Sequence, residues 1–326
     1  MEIKNLGNII NLLKEDLEKV DSELYKHLDS KVIMANEVAS YTLKSGGKRI
    51  RPILLILSSK LLDYTSNRIY VIASVIEYIH TATLLHDDII DGAKYRRGRI
   101  SANNKYGNDI VVLCGDFLYS RAFINLVLDG DSDIQLILAN AAKTMSEGEI
   151  FQLVKTANFE LPIESYLDII YSKTAVLMSA CCEIASIFAK KTHFRPYLKE
   201  LGKIIGLIFQ INDDILDYFG DPSKTGKKTG TDLREGKMTL PLLILREKAS
   251  KDDINIVKDI FYKDRIFDED FLAVVRLLSG YKIKEKCYQY VEKYIAKAHN
   301  LIKELPDNIY RECLEYLINF AAKREV

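Results

Sequence analysis

The chain of 326 residues has no tryptophan, six prolines, five cysteines and no net charge, its 46 basic and 46 acidic side chains cancelling. Each scarcity excludes something. Without an excess of one sign there is no global electrostatic argument for a nucleic-acid or anionic-membrane partner, so any electrostatic function must come from local clusters. Cys114, Cys181, Cys182, Cys287 and Cys313 show no CxxC spacing and are odd in number, which favours a reducing cytoplasm over a disulfide framework. The most apolar stretches, around Ile204 to Ile211 and Thr174 to Cys182, fall short of the ~18 residues that suggest a membrane span. The N-terminus begins an amphipathic helix with acidic residues and has no signal-peptide pattern. These readings predict a soluble, cytoplasmic protein with no transmembrane segment.

With so few prolines, apolar residues recur every three or four positions over long segments, the pattern of an all-α chain. Helices are expected at about 5–28, 31–44, 52–62, 67–91, 108–129, 132–155, 163–190, 195–219, 239–248, 252–262, 268–279, 282–303 and 307–323. Glycine and polar residues interrupt the pattern at Ser45 to Gly47, Gly92 to Gly98, Asp129 to Asp131 and Gly220 to Gly236. No linker or low-complexity tract separates them, so 1–326 is expected to be a single all-α domain.

Two acidic clusters share the pattern DDxxD: Asp87, Asp88 and Asp91, and Asp213, Asp214 and Asp217. On a helix of about 3.6 residues per turn, the first and last carboxylates of each cluster stack one above the other. Crowded and shielded from water, such groups repel and take up protons unless cations neutralise them. All-oxygen ligation suits Mg²⁺, which keeps waters and is commonly bound by a few carboxylates plus substrate phosphates. Cations accompany both clusters: Arg96 and Arg97 follow the first, and Lys227 and Lys237 follow the second on a glycine-rich segment. Guanidinium groups suit phosphate oxygens because their planar fork grips them in pairs. A diphosphate held between metal and arginine is the expected ligand.

The combination of GGKRIRP at 46–52, HTATLLHDDIID at 80–91, RRG at 96–98, GDFL at 115–118, GE at 148–149 with Gln152, KTA at 173–175, QINDDILD at 210–217 and GKKTGTDLREGKMTLP at 226–241 resembles the all-trans prenyl diphosphate synthases, class I head-to-tail prenyltransferases. The resemblance implies a single large helical bundle around a central apolar cavity, assembled as a homodimer, in which three Mg²⁺ ions hold an allylic diphosphate against both aspartate motifs. It assigns two metals to Asp87, Asp88 and Asp91, and the third to Asp213 with Asp214 and Asp217. By the same resemblance Arg96, Lys173, Lys227 and Lys237 grip the allylic diphosphate, while Lys48, Arg49, His80 and Arg97 hold that of isopentenyl diphosphate. Thr174 and Gln210 line the reacting centre, where loss of diphosphate leaves an allylic cation that the isopentenyl double bond attacks.

Product length follows from helix geometry, since the growing tail must pass the turns before Asp87. Thr83 and Ala82 lie first, then Ile79, Ile76 and Ile72, with Ile76 about 16 Å from Asp87. Short-chain relatives place an aromatic ring at one of the first two positions, and here both side chains are small. A long tail of about C30–C50, of the quinone side-chain kind, is expected from this open path. The alternatives are a geranylgeranyl or farnesyl diphosphate synthase, a class I terpene cyclase or head-to-head condensing enzyme, and a non-catalytic subunit of a heteromeric synthase. A lipid product also allows peripheral membrane contact. Lys323 and Arg324 read as a solvated terminus, and His86 as a packing or a catalytic residue in equal measure.

Overall fold

The computed structural model describes residues 3–221 and 229–323. Among them the helices are α1 (Leu6–Leu12), α2 (Lys14–Lys26), α3 (Ile33–Leu43), α4 (Ile50–Leu61), α5 (Arg68–Ile90), α6 (Ala102–Tyr106), α7 (Asn108–Asp129), α8 (Ser132–Lys155) and α9 (Ile163–Ile170). After a π-helical turn at Tyr171–Ala175 come α10 (Val176–Phe188), α11 (Arg195–Phe219), α12 (Thr231–Arg234), α13 (Leu240–Lys248), α14 (Lys251–Phe261), α15 (Asp268–Gly280), α16 (Ile283–Ile302) and α17 (Ile309–Lys323). The all-α expectation holds. The differences are local: Leu13 breaks the first helix, and a hairpin of β1 (Tyr95–Arg96) and β2 (Arg99–Ile100) occupies the loop after the first acidic cluster. Its two-residue turn, Arg97 and Gly98, has both φ positive at 52° and 74°, the conformation that matches the twist of paired strands.

Helix ends follow local chemistry. Ser250 caps α14 by accepting from the Asp253 amide at 3.2 Å, and Pro241 sits in the first turn of α13, where its missing N–H costs nothing. Gly130, at φ 78°, ends α7 in the left-handed conformation open to a residue without Cβ.

The chain divides into two units. One comprises Met1–Ala142, Ala180–Lys199 and Leu305–Leu314, the other Lys143–Ser179, Glu200–Glu304 and Glu315–Val326. In the first unit α5 packs most extensively on α7 and also lies against α2 and α4. Helix α4 is apolar on nearly all sides, and Ile53 to Leu57 are fully buried, as befits a core helix. Arg68 grips Asp129 with two bonds of 2.5 and 2.6 Å and reaches Asp131 at 3.0 Å, fixing the start of α5. In the second unit α13 packs on α16 and α15, and the Arg246 guanidinium braces the 159–161 segment through the carbonyls of Phe159 and Leu161.

Three helical stretches are long and apolar enough to cross a membrane by length and composition alone: Arg68–Ile90, Asn108–Asp129 and Ile163–Phe188. This corrects the expectation drawn from uninterrupted apolar runs, because scattered polar residues shorten a run without lowering the mean hydropathy much. The first and third bury 72% and 83% of their most apolar stretch inside the protein, which accounts for their composition. The second buries only 39%, and α7 displays Leu113, Phe123, Ile124, Val127 and Leu128 on its surface.

Candidate active site

In the first unit the first acidic cluster closes α5. Asp91 is the terminal residue, its amide donating to the Asp87 carbonyl at 2.8 Å, so all three carboxylates crowd the negative end of the helix dipole. That placement disfavours anions and favours a counter-cation. Asp88 is buried and already partnered: Arg96 donates to its Oδ1 from Nε and Nη2, both at 2.6 Å. Arg96 therefore sits on the first motif itself, positioned by β1. Asp87 lies towards α7, where burial, Asp87 and Asp116 together lift the Tyr119 phenol to about 12. His86 faces the same helix, its Nε2 3.1 Å from the Val112 carbonyl and 3.7 Å from Asp116 Oδ1. Gly115 makes room for it, because a Cβ there would lie 2.2 Å from His86 Nε2.

A cluster of cationic side chains adjoins this motif. Gly47 approaches so closely that a Cβ would stand 2.9 Å from Arg97 Nη1, which brings the GGKR and RRG segments together. Burial, then Arg51, Arg97, Arg96 and Arg49, hold His80 well below its ordinary value, so its ring stays neutral. Arg49 is turned aside, donating to Glu77 at 2.5 Å and to Asp21 at 3.3 Å. Arg51, quoted within GGKRIRP but given no role, has its Nε shielded from solvent with no hydrogen-bond partner among the described residues. Burial and Arg97 lower its affinity for the proton. A shielded guanidinium nitrogen without a partner, in a group whose nearest acid, Glu77, is already paired with Arg49, suits an anionic ligand. Lys48 is exposed on the loop before α4. On α5, Ala82, Ile79, Ile76 and Ile72 are buried, and Thr83 is half-buried with its hydroxyl on the His80 carbonyl at 2.7 Å.

In the second unit the π turn after α9 presents Lys173 and Thr174. Wide turns of this kind insert an extra residue and recur at functional sites. Two glycines allow it: a Cβ on Gly148 would lie 2.2 Å from Ser172 Cβ, and one on Gly206 2.4 Å from Ala175 Cα. Lys173 pairs with Glu149 at 3.3 Å, and Gln152 donates to the same carboxylate at 3.0 Å, which gives the GE segment its role. Thr174 donates to Gln210 Oε1 at 2.7 Å, and Gln210 Nε2 to Asp214 Oδ1 at 2.9 Å. Tyr166 donates to the other Asp214 oxygen at 2.7 Å. Asp217 accepts from the amides of Thr231 and Asp232 at 3.1 and 3.0 Å, so it anchors α12. Lys237 pairs with Glu235 at 2.6 Å. Lys227 lies outside the described residues, as does Arg324.

Electrostatics in this unit favour a bound cation. Burial, against the hydrogen bonds of Gln210 and Tyr166 and with the charges of Asp213 and Asp217, lifts Asp214 to about 7. Burial raises Asp217 as well, and burial together with Asp214 and Asp217 pushes Asp232 far above the carboxylate range. A cavity of about 110 Å³ opens here, lined among others by Gln152, Lys173, Gln210, Asp214, Asp232 and Lys237. Among the described residues no three His, Cys, Asp or Glu side chains stand ready as a closed metal cage. The donor set is instead all-oxygen and incomplete, which fits Mg²⁺, an ion that retains waters and fills its shell with substrate phosphate oxygens.

Residues 33–278 match the family model described as Polyprenyl synthetase. The chain belongs to the polyprenyl synthetase family. Relatives include the octaprenyl diphosphate synthase of Escherichia coli (strain K12), 35% identical over 98% of this chain and 99% of that protein. Heptaprenyl diphosphate synthase component 2 of Geobacillus stearothermophilus is 33% identical over 98% of this chain and 99% of its own. Among solved structures, a polyprenyl synthase from Caulobacter crescentus CB15 complexed with calcium and isoprenyl diphosphate superposes with a TM-score of 0.94 at 32% identity, covering 100% of both chains. A decaprenyl diphosphate synthase from Rhodobacter capsulatus gives 0.93 at 32% identity over 99% of this chain and 100% of that one. As a polyprenyl synthetase the chain retains each motif from GGKR to the second DDxxD. Sequence reasoning gave no role to Arg51, Glu77, Asp116, Tyr166 or Asp232. Arg51, Asp116 and Asp232 sit inside quoted motifs, and an acid or guanidinium in such a motif was the available signal. Tyr166 had none.

Proposed function

We propose that this chain, 1–326 acting as one catalytic domain, is a Mg²⁺-dependent trans-prenyltransferase that adds isopentenyl diphosphate units to an allylic diphosphate primer to make a long-chain polyprenyl diphosphate. The carrying observation is the cluster of Arg51, Arg97 and neutral His80 beside Arg96 and the buried Asp88, where cations outnumber their acidic partners. The octaprenyl, heptaprenyl and decaprenyl relatives and the small side chains of Thr83 and Ala82 support a long product.

Asp87, Asp88 and Asp91 would hold two Mg²⁺ ions, and Asp213, with Asp214 and Asp217 behind it, a third. Bound there, the ions supply Lewis-acid neutralisation of the departing diphosphate. The protein's own residues do the rest. Arg96, Lys173, Lys227 and Lys237 bind the allylic diphosphate, and Lys48, Arg51, His80 and Arg97 that of isopentenyl diphosphate, with Arg49 held back by Glu77 as a support. The Thr174 hydroxyl and Gln210 carbonyl present dipoles to the allylic carbon as positive charge develops. Apolar α5 side chains exclude water that would otherwise trap the cation. Attack by the isopentenyl double bond forms the new C–C bond, and loss of a proton restores the alkene.

The exposed apolar face of α7 suits a second copy of the chain and supports a homodimer. Sedimentation of Leu113→Glu with Leu128→Glu should show monomers; an unchanged dimer removes α7 from the interface. The function itself is tested by incubating purified protein with Mg²⁺, isopentenyl diphosphate and farnesyl or geranylgeranyl diphosphate, then dephosphorylating and sizing the products. Products no longer than C20, or none, would refute it.

A further inference from the structure

Tyr166 stands on α9, ahead of the π turn and outside every motif. Its ring is 2% exposed, and its hydroxyl donates to Asp214 Oδ2 at 2.7 Å. We infer that Tyr166 is a positioning residue that fixes the Asp214 carboxylate for divalent-cation binding by the second aspartate motif and, through Gln210, sets the orientation of Thr174. The inference rests on the reading of that motif given above.

The hydrogen bonds form one directed chain. Asp214 is buried, and each of its oxygens has a donor from a different element: Gln210 from α11 itself on Oδ1, Tyr166 from α9 on Oδ2. A carboxylate accepts at both ends, so Gln210 must turn its NH₂ towards Asp214 and its carbonyl oxygen towards the Thr174 hydroxyl. Without the Tyr166 hydroxyl, Oδ2 is a buried acceptor that has lost its donor, and the carboxylate is free to rotate about its last bond. That rotation releases Gln210 and then Thr174. Partners behind a ligating carboxylate commonly hold it for the metal, and their loss weakens metal affinity about 10- to 100-fold.

The first unit supplies an internal control. Tyr70 is also buried and donates to a buried carboxylate, Asp16, at 2.8 Å, but that pair belongs to no motif. Tyr166→Phe and Tyr70→Phe therefore remove the same kind of bond, with Asp16 keeping Lys60 at 2.8 Å and Asp214 keeping Gln210 at 2.9 Å. The readout is Mn²⁺ binding in the presence of inorganic diphosphate, followed by electron paramagnetic resonance, with the melting temperature of metal-free protein measured alongside. Tyr166→Phe should bind Mn²⁺ about 10- to 100-fold more weakly, while Tyr70→Phe keeps wild-type affinity even as it lowers the melting temperature. In an Asp214→Asn background, Tyr166→Phe should have no further effect on affinity, because the hydroxyl acts only through that carboxylate. Wild-type affinity in Tyr166→Phe, an equal loss in Tyr70→Phe, or a full additional loss in the double variant overturns the inference while leaving the motif's role intact. If wild-type protein and Asp213→Asn bind Mn²⁺ and diphosphate alike, the reading of the motif falls, and the inference with it.

Discussion

Replacing Gly206 with alanine tests how tightly the π turn is held. The added Cβ would lie 2.4 Å from Ala175 Cα, 2.7 Å from its Cβ and 3.3 Å from its N. Carbon atoms in contact settle about 3.5–4.0 Å apart, so α11 and the turn must separate by roughly 1 Å or more. Two of the three atoms are backbone, so no side-chain rotation relieves the overlap. Overpacking of this kind costs about 1–3 kcal/mol of stability. The catalytic effect should be larger, because the turn carries Lys173 and Thr174, and misplacing a reacting group by 1 Å can cost about 100-fold. Steady-state condensation assays should thus show kcat down about 100-fold in Gly206→Ala, with folding intact by circular dichroism. Ala175→Gly in the same chain removes the 2.7 Å contact but not the 2.4 Å one, so rescue should be partial. Gly280→Ala, where nothing lies within 4 Å, should leave activity unchanged. Full activity and an unchanged melting temperature in Gly206→Ala would refute the argument.

Three further outcomes are expected. Thr83→Phe should shorten the product, because a ring about 6 Å below Asp87 closes the path one turn down; chromatography of dephosphorylated products decides, and an unchanged length excludes α5 as the tail's wall. Arg51→Ala should raise KM for isopentenyl diphosphate by about 10-fold or more with little change in KM for the allylic substrate, since a charge-assisted bond contributes about 1.5–3 kcal/mol; equal changes in both would contradict the assignment. Metal-free protein should lose stability as pH rises from about 4 to about 7, because Asp214, lifted from 3.8 to about 7, binds a proton more tightly when folded than when unfolded. Melting curves should show that slope, Asp214→Asn should make it shallower while the raised Asp217 and Asp232 keep part of it, and Mg²⁺ with diphosphate should offset it.

The helices were legible because apolar spacing records burial, as α11 shows with Leu198, Leu201, Ile204, Ile208, Ile211 and Ile215 all buried. The breaks were harder. Leu13 carries no proline or glycine signal, and the π turn lies inside 163–190, where the apolar pattern runs on through it. The hairpin at 95–100 is too short for strand periodicity, although Arg97-Gly98 is a recognisable turn pair. At the site, residue types revealed which groups bind anions and cations, but not who supports whom. Arg49 and Arg51 look alike in GGKRIRP, and only the fold turns one onto Glu77 and leaves the other's Nε without a partner. Asp217 carries a second task that its residue type does not announce, accepting from the Thr231 and Asp232 amides. Tyr166 is one tyrosine among 19, and nothing local distinguishes it.

The surplus residue in the Tyr171–Ala175 turn also constrains how this chain can change over generations. A π turn absorbs one residue within a single turn, so deleting it would restore an ordinary α-helical turn and leave Val176 to Phe188 facing as before, while Lys173 and Thr174 would lose the widened backbone that presents them. Shortening there would cost the chemistry before it cost the fold.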